Sequence, residues 1–199
     1  MTTTKCFSVG VNTKVGSDTA IFNFISGHEC PSFSKGYCQM KKRTHCYAFK
    51  GELLRPSHRT RANNQGVLID TDPMAFVVDL SNLQSKTHKD RVTGKYNEIK
   101  YVRFSERGDF RTQKDVDFLS KLANHFPELT FYGYTARKDL DYINIAPNIV
   151  INGSGFNLDN NFKVEYNKHK IHKNICLMDC RTCNKCKSSN GKTIWVYRH

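Results

Sequence analysis

The chain lacks any apolar run close to the roughly twenty residues that a membrane-spanning helix requires. Its first residues, Met1-Thr2-Thr3-Thr4-Lys5, lead into no long apolar segment of the secretory kind. These absences speak against a membrane partner and against a secreted protein; the expected setting is the cytoplasm. Acidic residues are also scarce, with 18 Asp and Glu against 31 Lys and Arg and a formal net charge of +13. Internal repeats and low-complexity linkers are missing. The 199 residues are therefore expected to bury one core, with at most a small metal-stapled appendage. The polar stretches Ser57 to Gln65 and Ser81 to Asn97 read as excursions from that single domain.

Cysteine, by contrast, is abundant and grouped. Seven of eight cysteines fall into two knots: Cys30, Cys38 and Cys46 near the start, and Cys176, Cys180, Cys183 and Cys186 near the end. The second reads C-x3-C-x2-C-x2-C. Disulfides suit small secreted domains, and cysteines two residues apart bridge one another poorly, so metal ligation is the better expectation. Structural zinc usually takes two close pairs separated by a longer loop, whereas crowded runs are typical of iron–sulfur ligation, which is favoured for the tail with zinc as the alternative. Three thiolates in the first knot leave a metal or cluster one ligand short, an open position at which chemistry can occur. His28 or His45 can close that position and make the site structural. Cys6, beside Phe7, reads as a small buried apolar residue.

The positive charge points to a polyanionic partner, DNA or RNA first, with a solvated charged face as the plainer reading. Candidate phosphate contacts are Lys41, Lys42, Arg43, Arg59, Arg61, Lys168, Lys170 and Lys173, interspersed with aromatic residues such as Tyr37, Tyr47, Phe49 and Tyr166 that can stack on bases.

Apolar patterning predicts strands at Ala20 to Ile25, Ala75 to Leu80, Ile99 to Phe104, Leu129 to Tyr134, Asn148 to Ile151 and Thr193 to Tyr197. The clearest helix starts near Thr112, has Asp115 three residues on, and lines up Val116, Leu119, Leu122, Ala123 and Phe126 before Pro127 ends it. Strand, helix and strand from Ile99 to Tyr134 form a βαβ crossover. The expected fold class is α/β, either a partial (β/α) barrel or an open parallel sheet. Residues 1–166 form the core with a cysteine loop over residues 26–50, and a cysteine-rich metal-binding tail, residues 167–199, packs on it.

In such folds ligands gather at the carboxyl ends of strands. Two of these ends carry polar clusters, Arg103 with Ser105-Glu106-Arg107-Gly108-Asp109 and Tyr134-Thr135-Ala136-Arg137. Arg103, Glu106 and Asp109 are the catalytic candidates. Asp109 can act as a base or bind a cation, or can instead turn the chain and help cap the next helix.

Asn12-Thr13-Lys14, Cys30-Pro31, Cys46-Tyr47-Ala48, Arg103, Gly108-Asp109-Phe110, Phe126-Pro127, Tyr134-Thr135 and the terminal cysteines together resemble, in that order, the phage and plasmid family called gene product 88. The resemblance runs from Asn12 to Cys186 and implies a bacterial cytoplasmic setting without naming a reaction. A more distant similarity is to radical S-adenosylmethionine enzymes, where three cysteines after the first barrel strand hold a 4Fe-4S cluster whose open iron binds the cofactor. Cys30, Cys38 and Cys46 match that position, although their C-x7-C-x7-C spacing departs from the usual C-x3-C-x2-C. This similarity implies one or two 4Fe-4S clusters, S-adenosylmethionine as cofactor, and Gly108, Asp109, Tyr134 and Thr135 as cofactor-binding residues. Two other classes stay open: a zinc-stapled nucleic-acid-binding module without chemistry, and a base-modifying or base-exchanging enzyme using Asp79 or Asp109 over structural zinc.

Overall fold

The computed structural model describes residues 4–167 and 169–197. Seven strands form one open sheet: β1 (Ser8–Val9), β2 (Thr19–Ile21), β5 (Tyr101–Phe104), β6 (Thr130–Thr135), β7 (Ile149–Ser154), β8 (Asn160–Glu165) and β9 (Thr193–Tyr197), side by side in that order. Only β1 is antiparallel; the other six run parallel and in chain order. Of the two architectures expected, the described residues therefore form the open sheet, with β1 and β9 at its edges. The last strand belongs to this sheet, so the cysteine-rich tail threads back into the core.

The long connection between β2 and β5 carries α1 (Pro31–Ser34), a 3-10 turn (Arg43–His45), α2 (Tyr47–Leu54), α3 (Pro56–Thr71), α4 (Met74–Gln84) and a hairpin of β3 (His88–Lys89) with β4 (Tyr96–Asn97). The crossover from β5 to β6 is α5 (Gln113–His125), as the sequence led us to expect. Three sequence expectations change. Ala75 to Leu80 is not a strand but the middle of α4, with Phe76, Asp79 and Leu80 buried on one side while Met74 and Val78 face out. A short apolar run does not by itself distinguish a buried strand from a helix, and here the three- and four-residue spacing wins. Ser57 to Gln65 lies within α3, which starts on Pro56 and buries only the narrow stripe Ala62, Gln65, Gly66 and Ile69. Asn160–Glu165 is a strand that the apolar pattern did not mark.

Strand alternation gives the sheet two different faces. Ala20, Val102, Phe104, Phe131, Ile149 and Ile151 pack with Phe76, Leu80, Leu119 and Leu122 of the helices into the main core. Tyr132, Val150, Phe162 and Ile194 point the other way and pack with Cys186 and Cys176 of the tail. The five residues between β7 and β8 suffice as a parallel connection because β8 pairs only from Asn152 onward and runs on past the end of β7. Gly153 permits this tight return, since a side chain there would collide with the carbonyl of Phe156.

Candidate functional site

The N-terminal cysteine loop lies over the carboxyl ends of the parallel strands, held by buried Glu52 and Asp109 and half-buried Gln39. Glu52, on α2, accepts hydrogen bonds from the backbone N–H of Gly27 (2.8 Å) and His28 (3.1 Å), and its Oε2 lies 2.8 Å from His28 Nδ1. Asp109 accepts from Ser32 Oγ (2.5 Å), from the N–H of Ala136 (2.8 Å) and from its neighbour Phe110 (2.8 Å), thereby joining α1 to the ends of β5 and β6. Gln39 donates to Ser154 Oγ (3.0 Å) and to the Phe162 carbonyl (2.7 Å), and accepts from the N–H of Val164 (3.0 Å). One loop is thus tied to β5, β6, β7 and β8. Gly108, at φ +63°, sets its backbone against the Ile25 carbonyl where a side chain would collide, locking the β5 and β2 ends together.

This framework gathers Cys30, Cys38 and Cys46. Burial pushes the Cys30 thiol up to about 12, helped by nearby Asp109 and Cys38. Burial also raises Cys38, against a hydrogen bond from the Met40 N–H, with Cys46 and Asp109 adding to the rise. Each thiol feels the next, which places the three in one neighbourhood. Among the described residues, no three His, Cys, Asp or Glu side chains close on a common point at which they could hold a metal ion. Asp109 is held above the usual carboxylate range by burial, opposed by its Ser32, Ala136, Thr135 and Phe110 donors.

The tail cysteines occupy the opposite face. Asn152, in β7, donates to the Cys186 carbonyl (3.0 Å), Asn160 of β8 donates to that of Ser188 (2.9 Å), and the Cys176 N–H donates to the Trp195 carbonyl (2.8 Å). Burial raises the Cys180 and Cys186 thiols; Arg103 draws both down, and Tyr134 also draws Cys186 down by hydrogen bonding. Cys180 responds to Cys186 and Cys176, and Cys186 to Cys183, so all four belong to one electrostatic cluster. Arg103, in β5, has its guanidinium over the Tyr134 ring at 5.7 Å.

The sequence candidates therefore separate. Asp109, Gly108 and Thr135 sit together at the strand ends, whereas Arg103 and Tyr134 face the tail. Glu106 lies at the margin, accepting from Asn12 Nδ2 at 2.5 Å. Asp79 is committed to the N–H groups of Cys6 and Phe7 (2.7 and 3.0 Å), and Cys6 is a fully buried core residue as expected. Of the basic residues, Arg43 is bound to the His28 carbonyl and lies over Phe33, Arg59 pairs with Glu29, and Lys170 pairs with Glu165 at 3.7 Å. Lys41, Lys42, Arg61 and Lys173 make no ion pair among the described residues. Lys168 lies outside the described residues. Sequence reasoning missed Glu52, Gln39, Ser32 and Lys187, all isolated polar residues whose long-range partners no local pattern reveals.

The gene product 88 family model matches residues 5–181, from just before β1 through Arg181. The chain belongs to the gene product 88 family. Comparison with curated proteins and with solved structures gives no match. In this gene product 88 chain the matched stretch takes in the whole N-terminal cysteine loop, its Glu52, Asp109 and Gln39 ties, and the first two tail cysteines. No helix among the described residues is long and apolar enough to cross a membrane.

Proposed function

We propose that this gene product 88 protein is an iron–sulfur protein arranged like the radical S-adenosylmethionine enzymes, acting on nucleic acid in the bacterial cytoplasm. The observation that carries the reading is positional. The loop bearing Cys30, Cys38 and Cys46 follows the first of six parallel strands in chain order and is pinned across the carboxyl ends of the next four. The donor type supports the reading, because Cys30 and Cys38 each respond to the next cysteine along the loop, although the three side chains do not close on a common point as they stand. Cys176, Cys180, Cys183 and Cys186 supply a second, fully thiolate set. When bound, a four-iron cluster with a free iron supplies a Lewis-acid site and a one-electron donor. The chain's own part is to hold the cysteine loop through Asp109, Glu52 and Gln39 and to place Arg103 and Tyr134 against the tail set. The base-modifying alternative draws no support from Asp79 or Asp109, since both carboxylates are spent on backbone N–H groups.

The test is S-adenosylmethionine added to anaerobically reconstituted, reduced protein. The expected result is a changed electron paramagnetic resonance spectrum and release of 5′-deoxyadenosine, both lost in Cys38→Ser. An unaltered spectrum without cleavage would remove the radical reading and leave a metal-stapled binding module.

The +13 charge supports the nucleic-acid partner. Binding to a DNA or RNA oligonucleotide is expected to weaken steeply with salt. Replacing Lys41 and Lys42 with Ala should flatten the logarithmic salt slope by about one unit for each phosphate that is no longer neutralised. Absence of binding at low salt would refute this partner.

A further inference from the structure

The geometry points to a binding site for a phosphate group between the first turns of α3 and the turn that follows β5, made by Arg55, His58 and Arg61 on one side and Arg107 on the other. Where that phosphate belongs to a nucleic-acid strand, the inference rests on the partner proposed above; the site itself does not.

The turn after β5 is built to present Arg107. Ser105, at φ +52°, and Gly108, at φ +63°, bracket Glu106 and Arg107, and left-handed backbone is costly for a serine. The Arg107 N–H donates to Asn23 Oδ1 at 2.7 Å, and Asn23 Nδ2 donates to Gln65 Oε1 at 3.1 Å, so a buried relay fixes the turn against α3. The Arg107 guanidinium lies against Gly51 of α2, where a Cβ would stand 3.2 Å from Nη1. His58 sits two turns before Gln65 on the same side of α3. Arg107 Nη1 and His58 Nδ1 are both buried and lack a hydrogen-bond partner among the described residues.

The surroundings are positive. Burial, together with the guanidiniums of Arg107, Arg61 and Arg55, holds His58 below the ordinary imidazole range, against the Glu106 carboxylate. Glu106 offsets part of this charge and already accepts from Asn12 Nδ2 at 2.5 Å. Three guanidiniums face it, and none of them forms an ion pair among the described residues. α3 also opens without a side-chain cap and without an acidic residue in its first turn, so its own N–H groups add to the field. Beyond Arg61 the surface continues as a cleft of about 440 Å³, where Lys5, Ser57, Thr60, Asn64 and Gln65 bring an ammonium, hydroxyls and amides and no carboxylate lines the wall. A phosphate suits this set, because its oxygens accept from forked guanidiniums and a ring N–H on several sides at once.

The experiment uses the full-length chain and two probes at low salt, inorganic phosphate and a fluorescein-labelled single-stranded DNA oligonucleotide. Binding is read from the ring-nitrogen resonances of His58, assigned with His58→Gln, and from fluorescence anisotropy. The variants are Arg107→Gln, Arg61→Gln and the charge-matched Arg91→Gln, which lies in the β3–β4 hairpin. Both probes are expected to shift the His58 signals. Arg107→Gln and Arg61→Gln are expected to weaken each probe about tenfold, the effect of losing one charge-assisted contact, while Arg91→Gln stays within about twofold of wild type. A shift with the oligonucleotide alone would assign the site to the strand backbone. A shift with phosphate, and oligonucleotide binding untouched in the Arg107 and Arg61 variants, would keep the site and assign it to a free phosphorylated ligand. A shift with phosphate in a protein that binds no oligonucleotide would refute the nucleic-acid partner and leave the site standing. His58 signals unmoved by either probe, or Arg91→Gln as impaired as Arg107→Gln, would overturn the inference.

Discussion

If the tail cysteines hold metal as proposed, Cys183→Ser is expected to release it and to cost at least ~3 kcal/mol of stability, visible as a lower thermal midpoint and a loss of bound metal on gel filtration. The segment between β8 and β9 has little regular structure of its own; the Asn152 and Asn160 hydrogen bonds and the packing of Cys176 and Cys186 hold it to the sheet. A structural metal in isolated finger peptides contributes roughly 10–16 kcal/mol of apparent binding free energy, and three remaining ligands retain only part of such an effect. Because β9 follows this segment and pairs with β8 over Asn161 to Glu165, loosening the tail also exposes Phe162 and Ile194. Unchanged metal content together with an unchanged thermal midpoint would mean that the tail cysteines are not ligands.

Asp109→Ala is expected to be the most damaging substitution at the strand ends. It removes the acceptor for Ser32 Oγ and for the N–H groups of Ala136 and Phe110, all in a buried setting. Leaving buried donors unsatisfied costs about 1–3 kcal/mol each, so a total of roughly 3 kcal/mol or more is expected. Ser32 lies between Cys30 and Cys38, and the same variant should lower metal occupancy of the first cysteine set while sparing the tail set. Asp109→Asn, which keeps one carbonyl acceptor, should fall between Ala and wild type in denaturant midpoint. Full stability and full metal content in Asp109→Ala would show that the clamp is dispensable.

The fold was most legible where period and neighbours agreed. The β5–α5–β6 crossover is evident from the stripe Val116, Leu119, Leu122 and Ala123 between two apolar strands. Its boundaries shift by only one or two residues. Legibility failed in α4, because Ala75-Phe76-Val77-Val78 is as apolar as a buried strand and only the three-dimensional core decides which side is covered. It failed again in β8, where Asn160 and Asn161 oppose strand propensity. Their amide N–H groups donate instead to Asn152, Ser188 and Asn157 across the sheet and loops, while Asn161 Oδ1 is buried without a partner among the described residues. The cysteines of the site were plain as two groups. That the groups lie on different sides of the sheet, one over the strand ends and one across a face, depends on the alternation of Arg103 and Tyr134 against Phe104 and Thr135. Asp109 was visible as a polar strand-end residue. Its bond to Ser32, 77 positions away, was not, because nothing local marks a partner that only the fold supplies.

The most direct test of the central claim is iron, acid-labile sulfide and zinc analysis of protein purified without oxygen, read beside its visible absorption. The account predicts a brown protein with about four or eight irons per chain and matching sulfide. Substituting Cys30, Cys38 and Cys46 together should remove the first set's share, and substituting Cys180 and Cys183 the tail's. A colourless protein containing neither iron nor sulfide, with wild-type cysteines intact, would contradict it.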